Sequence, residues 1–527
     1  MVSSEILAPA LSAEGEGGYG ESTPTLGNWP TGDRNVDALI HDRRWQSSTV
    51  TYSFPDDFSD DYEEELGYAQ AGVHQASFEP LNSAQKQATR SILTRFYAGV
   101  AQLQFEELRG GQDRHATLRL AQSSDPPTAY AYLPDDFFES GDIWFNPTDY
   151  DRPRIGSYAY HTLIHEIGHS LGLDHGHDPQ GVTQPPLSTD RDSMEFSVMT
   201  YRAYTGHQDW ALGYPNEAGG FAQSLMMLDI AALQTLYGAN YSHQAEATTY
   251  QFSTTTGEMF INGVGQGKPL TNRIFRTIWD GNGRDTYDLS NYSTPTSINL
   301  APGSWSRFDQ QGNRQLARLD SRPGQVVEAQ GHVFNALLHK GDRRSLIENA
   351  LGGSADDVIR GNGANNKLQG RAGNDQLLGR QGADVLQGGS GADQLVGGAG
   401  NDRLVGGTQA DRLNGTDDQA RGRGEIDRLR GGSGADQFDL GGNGGVYYLD
   451  EGGPQGFAII QDLELEGADA DRLQVAGRVE NYRVQDNVVR QGISGFGLFY
   501  QTPSQADLIA LLQGRNLSAA GILQALA

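Results

Sequence analysis

The chain contains no cysteine. Disulfides and thiolate metal ligands are therefore excluded, and with them any thiol-based latency device. No uninterrupted apolar run approaches the roughly 18 residues that a membrane-spanning helix needs. Positive charge is scarce: 39 Lys and Arg stand against 67 Asp and Glu, a net charge of −28. Nucleic acid and anionic membranes demand a cationic surface, so both are unfavourable partners. The acidic excess suits capture of cations such as Ca²⁺, and equally an ordinary solvated surface. Apolar residues reach only 37%, whereas glycine is plentiful at 69 of 527 residues, so part of the chain must be dominated by turns. Met1 to Asp33 lacks a basic patch followed by an apolar stretch, so no cleavable secretory signal is read there and export would need another route.

Composition divides the chain. Residues 1–36 are rich in Gly, Ser, Pro and Glu and read as a disordered arm, either a propeptide or a plain tail. Residues 37–240 look like an ordinary globular domain. Thr49–Phe54, Ala116–Leu120, Ala129–Leu133 and Asp142–Asn146 read as strands. A helix is expected from Ser83 to Leu103, where Ala88, Ile92, Phe96 and Val100 form one stripe and Asn82 with Gln85 resembles a capping box. Further helices are expected over 157–171 and from Ala222 to Tyr237, the latter stopped by Gly238. Residues 241–345 turn to Thr-rich short strands, a repeat occupies the stretch assigned to 346–440, and 441–527 reads as a β-rich cap carrying an export signal.

The segment His165-Glu166-Ile167-Gly168-His169-Ser170-Leu171-Gly172-Leu173-Asp174-His175 carries the chemistry. His165 and His169 are four apart, so a helix sets them one turn apart on one face. Gly172 can take a left-handed conformation, end the helix and let the chain return with His175 as a third ligand. Three neutral nitrogens suit Zn²⁺ and leave an open position for water, the mark of a catalytic site. Glu166 adjoins the first ligand and is placed to act as general base. His161, one turn earlier, is read as a polar helix residue, and His177 as part of a loop turning away.

This motif resembles the metzincins, and within them the serralysin family. Ser197-Val198-Met199-Thr200-Tyr201 matches the family's Met-turn. The resemblance implies that Met199 floors the zinc histidines, and that Tyr201 ligates zinc at rest and swings to the oxyanion. It also implies that Ala129-Tyr130-Ala131-Tyr132 forms the edge strand on which substrate pairs, with Trp144 beneath the cleft; Ala129, Ala131 and Trp144 are thus expected to bind substrate.

From Gly352 seven nonapeptides follow without a gap: GGSADDVIR, GNGANNKLQ, GRAGNDQLL, GRQGADVLQ, GGSGADQLV, GGAGNDRLV and GGTQADRLN. Their sixth position is Asp357, Asn366, Asp375, Asp384, Asp393, Asp402 and Asp411, and their eighth is always Ile or Leu. A later half-repeat ends at Asp436. Each unit reads as a six-residue turn plus a three-residue strand, with the aliphatic inward and the carboxylates gathered for Ca²⁺. The pattern resembles the calcium-binding parallel β-roll of RTX proteins. That resemblance pairs Asp357 with Asp375, Asp375 with Asp393, Asp384 with Asp402 and Asp393 with Asp411. Asn366 weakens any site with Asp384, and Arg371 and Arg380 stand where glycine is usual.

The expected architecture is an α+β metzincin catalytic domain, with a twisted sheet and an active-site helix, followed by an all-β calcium-binding parallel β-roll. The resemblance implies a monomeric, secreted zinc endopeptidase acting on extracellular proteins. It would fold with several Ca²⁺ ions after leaving through a type I secretion ABC transporter, and a proteinaceous inhibitor would be a further partner. The other class considered is a non-catalytic calcium-dependent surface protein or adhesin; the presence of Glu166 separates the two. The chain ends Ile522-Leu523-Gln524-Ala525-Leu526-Ala527, unlike the Asp and three apolar residues common in serralysins.

Overall fold

A computed structural model describes residues 23–62, 71–177, 185–309, 314–450, 456–503 and 505–526. Residues 1–22 of the expected arm therefore lie outside the described residues, as do Asp178 and Pro179 and the final Ala527. The rest of that arm is not disordered. Thr25–Gly27 pairs antiparallel with Arg43–Trp45, and Asp33 caps a short helix at Arg34–Asp37 by accepting from the amides of Asn35 and Val36. Val36 is buried in the main core, and this long-range anchoring outweighs a loop-like composition.

In the N-terminal half a sheet runs in the order Gln104–Glu107, Thr49–Ser53, Leu118–Gln122, Ile143–Phe145, Ala129–Ala131. Along this order the strands are parallel except the last, which is antiparallel and forms the edge; Glu79–Pro80 also pairs antiparallel with Leu118–Gln122. Three long helical segments share the sheet's hydrophobic core. The first begins at Ser83 behind the expected Asn82–Gln85 capping box. Its stripe departs from the reading: a π-helical insertion at Leu93–Tyr97 adds a residue, so Leu93 and Tyr97 are fully buried while Phe96 is only half-buried. The second is Tyr158–Ser170, capped by Ser157. The third runs Met227–Tyr237 and not from Ala222. Gln223 donates its amide to the Phe275 carbonyl, and Asp229 accepts from the Met226 amide, so the helix can begin only after the chain leaves this extended pairing.

The C-terminal half is two long sheets face to face. Repeat strands alternate between them, each pairing in parallel with the strand of the next unit but one, as in Leu368 with Leu386 and Leu377 with Leu395. The eighth-position side chains from Ile359 to Leu413 are all fully buried and form the central stack. The register breaks after Asn414, where an insertion lengthens the repeat, and pairing then resumes between Leu404 and Leu429. One sheet continues through Phe457–Glu464 to Ala506–Arg515, so the terminal apolar stretch is a strand. No helix among the described residues is long and apolar enough to cross a membrane.

Candidate functional site

The zinc-motif helix is tied down at its C-terminal end by side chains from far away. Trp45 donates its indole N–H to the Ser170 carbonyl at 2.8 Å, and the Tyr237 hydroxyl donates to the Leu171 carbonyl at 2.9 Å. Gly172 then turns with φ +92°, and a Cβ there would lie 2.9 Å from the Arg43 carbonyl oxygen. Only glycine satisfies both demands, and the turn delivers His175.

His165, His169 and His175 are all buried, and their Nε2 atoms converge at 2.9, 3.0 and 3.2 Å from one another. The Nδ1 of His165 lies 2.8 Å from the Val198 carbonyl, and that of His169 2.8 Å from the Leu173 carbonyl. A carbonyl can only accept, so each Nδ1 carries the hydrogen and each Nε2 turns a lone pair to the common centre. Burial, reinforced by the neighbouring imidazoles, holds His169 and His175 well below the usual histidine range. Neutral nitrogens aimed at one point fit a divalent cation of zinc type. Glu166 is buried beside them.

Met199 is fully buried under the helix; a Cβ on Gly168 would stand 2.8 Å from its sulfur. Its turn is held by Asp229, which accepts from the Ser197 hydroxyl at 2.6 Å and the Val198 amide at 2.9 Å. Burial pushes the Asp229 carboxyl up to about 7. Asp229 is invisible to motif reading, because it lies far downstream of Met199 in the first turn of another helix. The Tyr201 hydroxyl lies 2.9 Å from His175 Nε2.

Two expectations are corrected, for His177 and Trp144. His177 does not turn away: its ring packs 4.4 Å from Tyr201 and 5.0 Å from Trp210. His161 is the helix residue expected; it is buried against Tyr214 and Phe221, and burial lowers its imidazole to about 3. Trp144 is sealed from the cleft. Its neighbours Ile143 and Phe145 face the main core, and strand alternation turns Trp144 to the other side. There it stacks on His74 at 3.8 Å within a cluster with Phe58 and Tyr62, so no substrate can touch it. Ala129 and Ala131 lie on the edge strand beside the zinc-motif helix.

In the repeats the sixth-position carboxylates form two ladders. Asp375, Asp393, Asp411 and Asp436 each accept the amide of the sixth residue of the unit before on the same side. Asp384 and Asp402 do the same on the other. The second oxygens of Asp375, Asp384, Asp393, Asp402 and Asp411 are buried without a hydrogen-bond partner. Each points at the first glycine of its own unit: a Cβ on Gly379 would meet Asp384 Oδ2 at 2.2 Å and the Gly397 carbonyl at 2.5 Å. Orphaned oxygens around a hollow that only glycine leaves open fit a hard cation. Asp357 differs, since its oxygens already accept from the Thr296 and Gly353 amides. The ladders also run on through Asp427 and Asp471, which the motif reading omits. A signal for the first exists: Asp427-Arg428-Leu429 repeats the Asp411-Arg412-Leu413 triplet.

A family model described as "Peptidase M10 serralysin C terminal" matches residues 239–318, and the RTX calcium-binding nonapeptide repeat matches in four copies between residues 351 and 445. Those two matches lie in the C-terminal half, which is thus similar to the serralysin C-terminal region and to calcium-binding repeat proteins. The chain is 33% identical over 331 residues to Serralysin G of Dickeya chrysanthemi, covering 60% of each. It is 32% identical over 291 residues to Metallopeptidase AprA of Pseudomonas marginalis, covering 53% of this chain and 54% of that one. It is 30% identical over 338 residues to Serralysin of Proteus mirabilis, again covering 60% of each. These matches thus span between about half and three fifths of the relatives' length. The chain therefore has an α+β fold of metzincin type followed by a parallel β-roll.

Proposed function

We propose that this chain is a zinc-dependent endopeptidase that folds with calcium outside the cell and hydrolyses peptide bonds in proteins. One observation carries the reading: three buried Nε2 atoms converge within 3.2 Å, two with their Nδ1 hydrogens held on carbonyls, and Glu166 adjoins the first in sequence. His165, His169 and His175 would hold the ion, with the Tyr201 phenol oxygen beside them. Zinc bound there supplies Lewis-acid polarisation and makes water acidic enough to lose a proton near neutral pH. Glu166 takes that proton on its carboxylate as water attacks the scissile carbonyl, then passes it to the leaving nitrogen, so one water and one amide become one acid and one amine. The Tyr201 hydroxyl donates to the oxygen that gains charge. The substrate backbone adds to the edge strand Ala129–Ala131.

The relatives are named as serralysins and metallopeptidases, which supports the peptidase reading. Cation-seeking repeats support ordering where calcium is plentiful, with a type I ABC transporter as the exit route and a proteinaceous inhibitor as a further partner. Exposing the calcium-loaded chain to a peptide library, with and without chelator, tests the reading. Internal cleavage should vanish on metal removal and return with added zinc. Cleavage that survives complete chelation, or that is confined to peptide ends, contradicts it.

A further inference from the structure

At the end of the first segment matched by a family model, and before the repeats, stands a hairpin, Arg318–Arg322 with Gln325–Glu328, joined by Pro323-Gly324. It leaves the roll's own sheet: the strand before it, Trp305–Phe308, pairs with Thr296–Asn299, which pairs with the first repeat strand Val358–Arg360. The hairpin does not stay with the roll. It reaches back to residues 195–217 of the N-terminal half, the segment that carries Met199 and Tyr201.

The contacts are numerous and specific. Ser321 donates its amide to the Pro215 carbonyl at 3.0 Å, and Arg318 and Glu217 exchange backbone and carboxylate hydrogen bonds at 3.0 and 3.2 Å. Gln330, just past the hairpin, donates to the Glu195 carboxylate at 2.6 Å. The buried Asp320 carboxylate accepts from the Tyr204 hydroxyl at 3.2 Å and is gripped by the Arg322 guanidinium at 2.7 Å. Arg322 also stands 3.9 Å from Asp209, the residue before Trp210, whose ring lies 6.2 Å from that of Tyr201. A second path is shorter. Pro215, held by Ser321, follows Tyr214, whose hydroxyl donates at 2.7 Å to the carbonyl of Thr200, next to Tyr201.

We propose that this hairpin is a strut that positions the Tyr201 loop, with Asp320 and Arg322 as its positioning residues, so that calcium-driven ordering of the roll sets the geometry of the catalytic site. The consequence for catalysis rests on the zinc-peptidase reading; the strut itself does not. Met199 and Ala203 are anchored in the core, but residues 204–217 are mostly half-buried or exposed, so the order of that stretch must come from what grips it.

The test compares the full calcium-loaded chain with Tyr204→Phe, Asp320→Asn and Arg322→Ala. Tyr204→Phe removes a single oxygen and spares folding; Arg322→Ala strips the buried Asp320 carboxylate of its cation, so its fold is checked by circular dichroism and Tyr204→Phe decides the test if it unfolds. Amide hydrogen exchange is read by mass spectrometry over residues 199–215. Exchange there should quicken about tenfold in the variants, while the Tyr158–Ser170 helix and residues 352–414 stay unchanged. Unchanged exchange in all three overturns the strut, whether or not the protein is a peptidase. On a peptide substrate kcat should fall about fivefold with KM within about twofold, because an interaction made only in the transition state is misplaced. A loosened loop with unchanged kcat overturns the positioning role. An inert wild type with a loosened loop in the variants overturns the peptidase reading and upholds the strut.

Discussion

The phenol oxygen of Tyr201 stands 2.9 Å from Nε2 of His175, one of the three histidine nitrogens that converge. From there its hydroxyl can reach whichever oxygen gains charge when a carbonyl is attacked. Tyr201→Phe should therefore lower kcat about 100-fold with little change in KM, as loss of one oxyanion donor does. Steady-state kinetics with metal analysis checks this; the zinc content should match wild type.

The roll without calcium has a predictable response to acid. Burial pushes the carboxyls of Asp375 and Asp384 up to about 7, and those of Asp402 and Asp411 up to about 8. In the unfolded chain they titrate near 4. The folded form therefore binds these protons more tightly, and stability from this source is complete below about pH 4 and lost as pH rises toward 8. In chelator, the β signal in circular dichroism should be stronger at pH 5 than at pH 8. Equal signals would contradict the burial of these groups.

Asn366 closes its turn without a cation. Its side-chain amide donates to the Glu348 carbonyl at 3.0 Å and to Asn362 Oδ1 at 3.1 Å, while its oxygen accepts the Asn362 backbone amide at 2.8 Å. Asn366→Asp replaces that donor by an acceptor facing two acceptors. The variant should bind one more calcium ion in a titration and be about 1–3 kcal/mol less stable without calcium. Unchanged stoichiometry would refute this.

Gly168 leaves room for Met199, since a Cβ at that position would stand 2.8 Å from its sulfur and 3.3 Å from the Tyr97 hydroxyl. Gly168→Ala overpacks that contact. It should cost about 1–3 kcal/mol in thermal unfolding and weaken zinc retention during dialysis.

What the sequence made legible was local or periodic. His165 and His169 are related by one helical turn and Ser157 caps that helix, so neighbouring residues suffice to place them. The repeats specify their own register, since each leucine stacks on its counterpart two units away. What stayed hidden depends on distant partners. Tyr204 meets Asp320 from the far side of the family-matched segment. Trp144 is turned from the cleft by His74 and Phe58, which no spacing near Trp144 announces. The π-helical insertion at Leu93–Tyr97 shifts a buried face by one residue without changing the composition of its stripe.

The central claim is that Glu166 moves the proton and takes no part in holding the metal. Casein hydrolysis and zinc content measured together on Glu166→Ala test it most directly. The account predicts a full complement of zinc and hydrolysis reduced to background. Hydrolysis retained at a substantial fraction of wild type would contradict it.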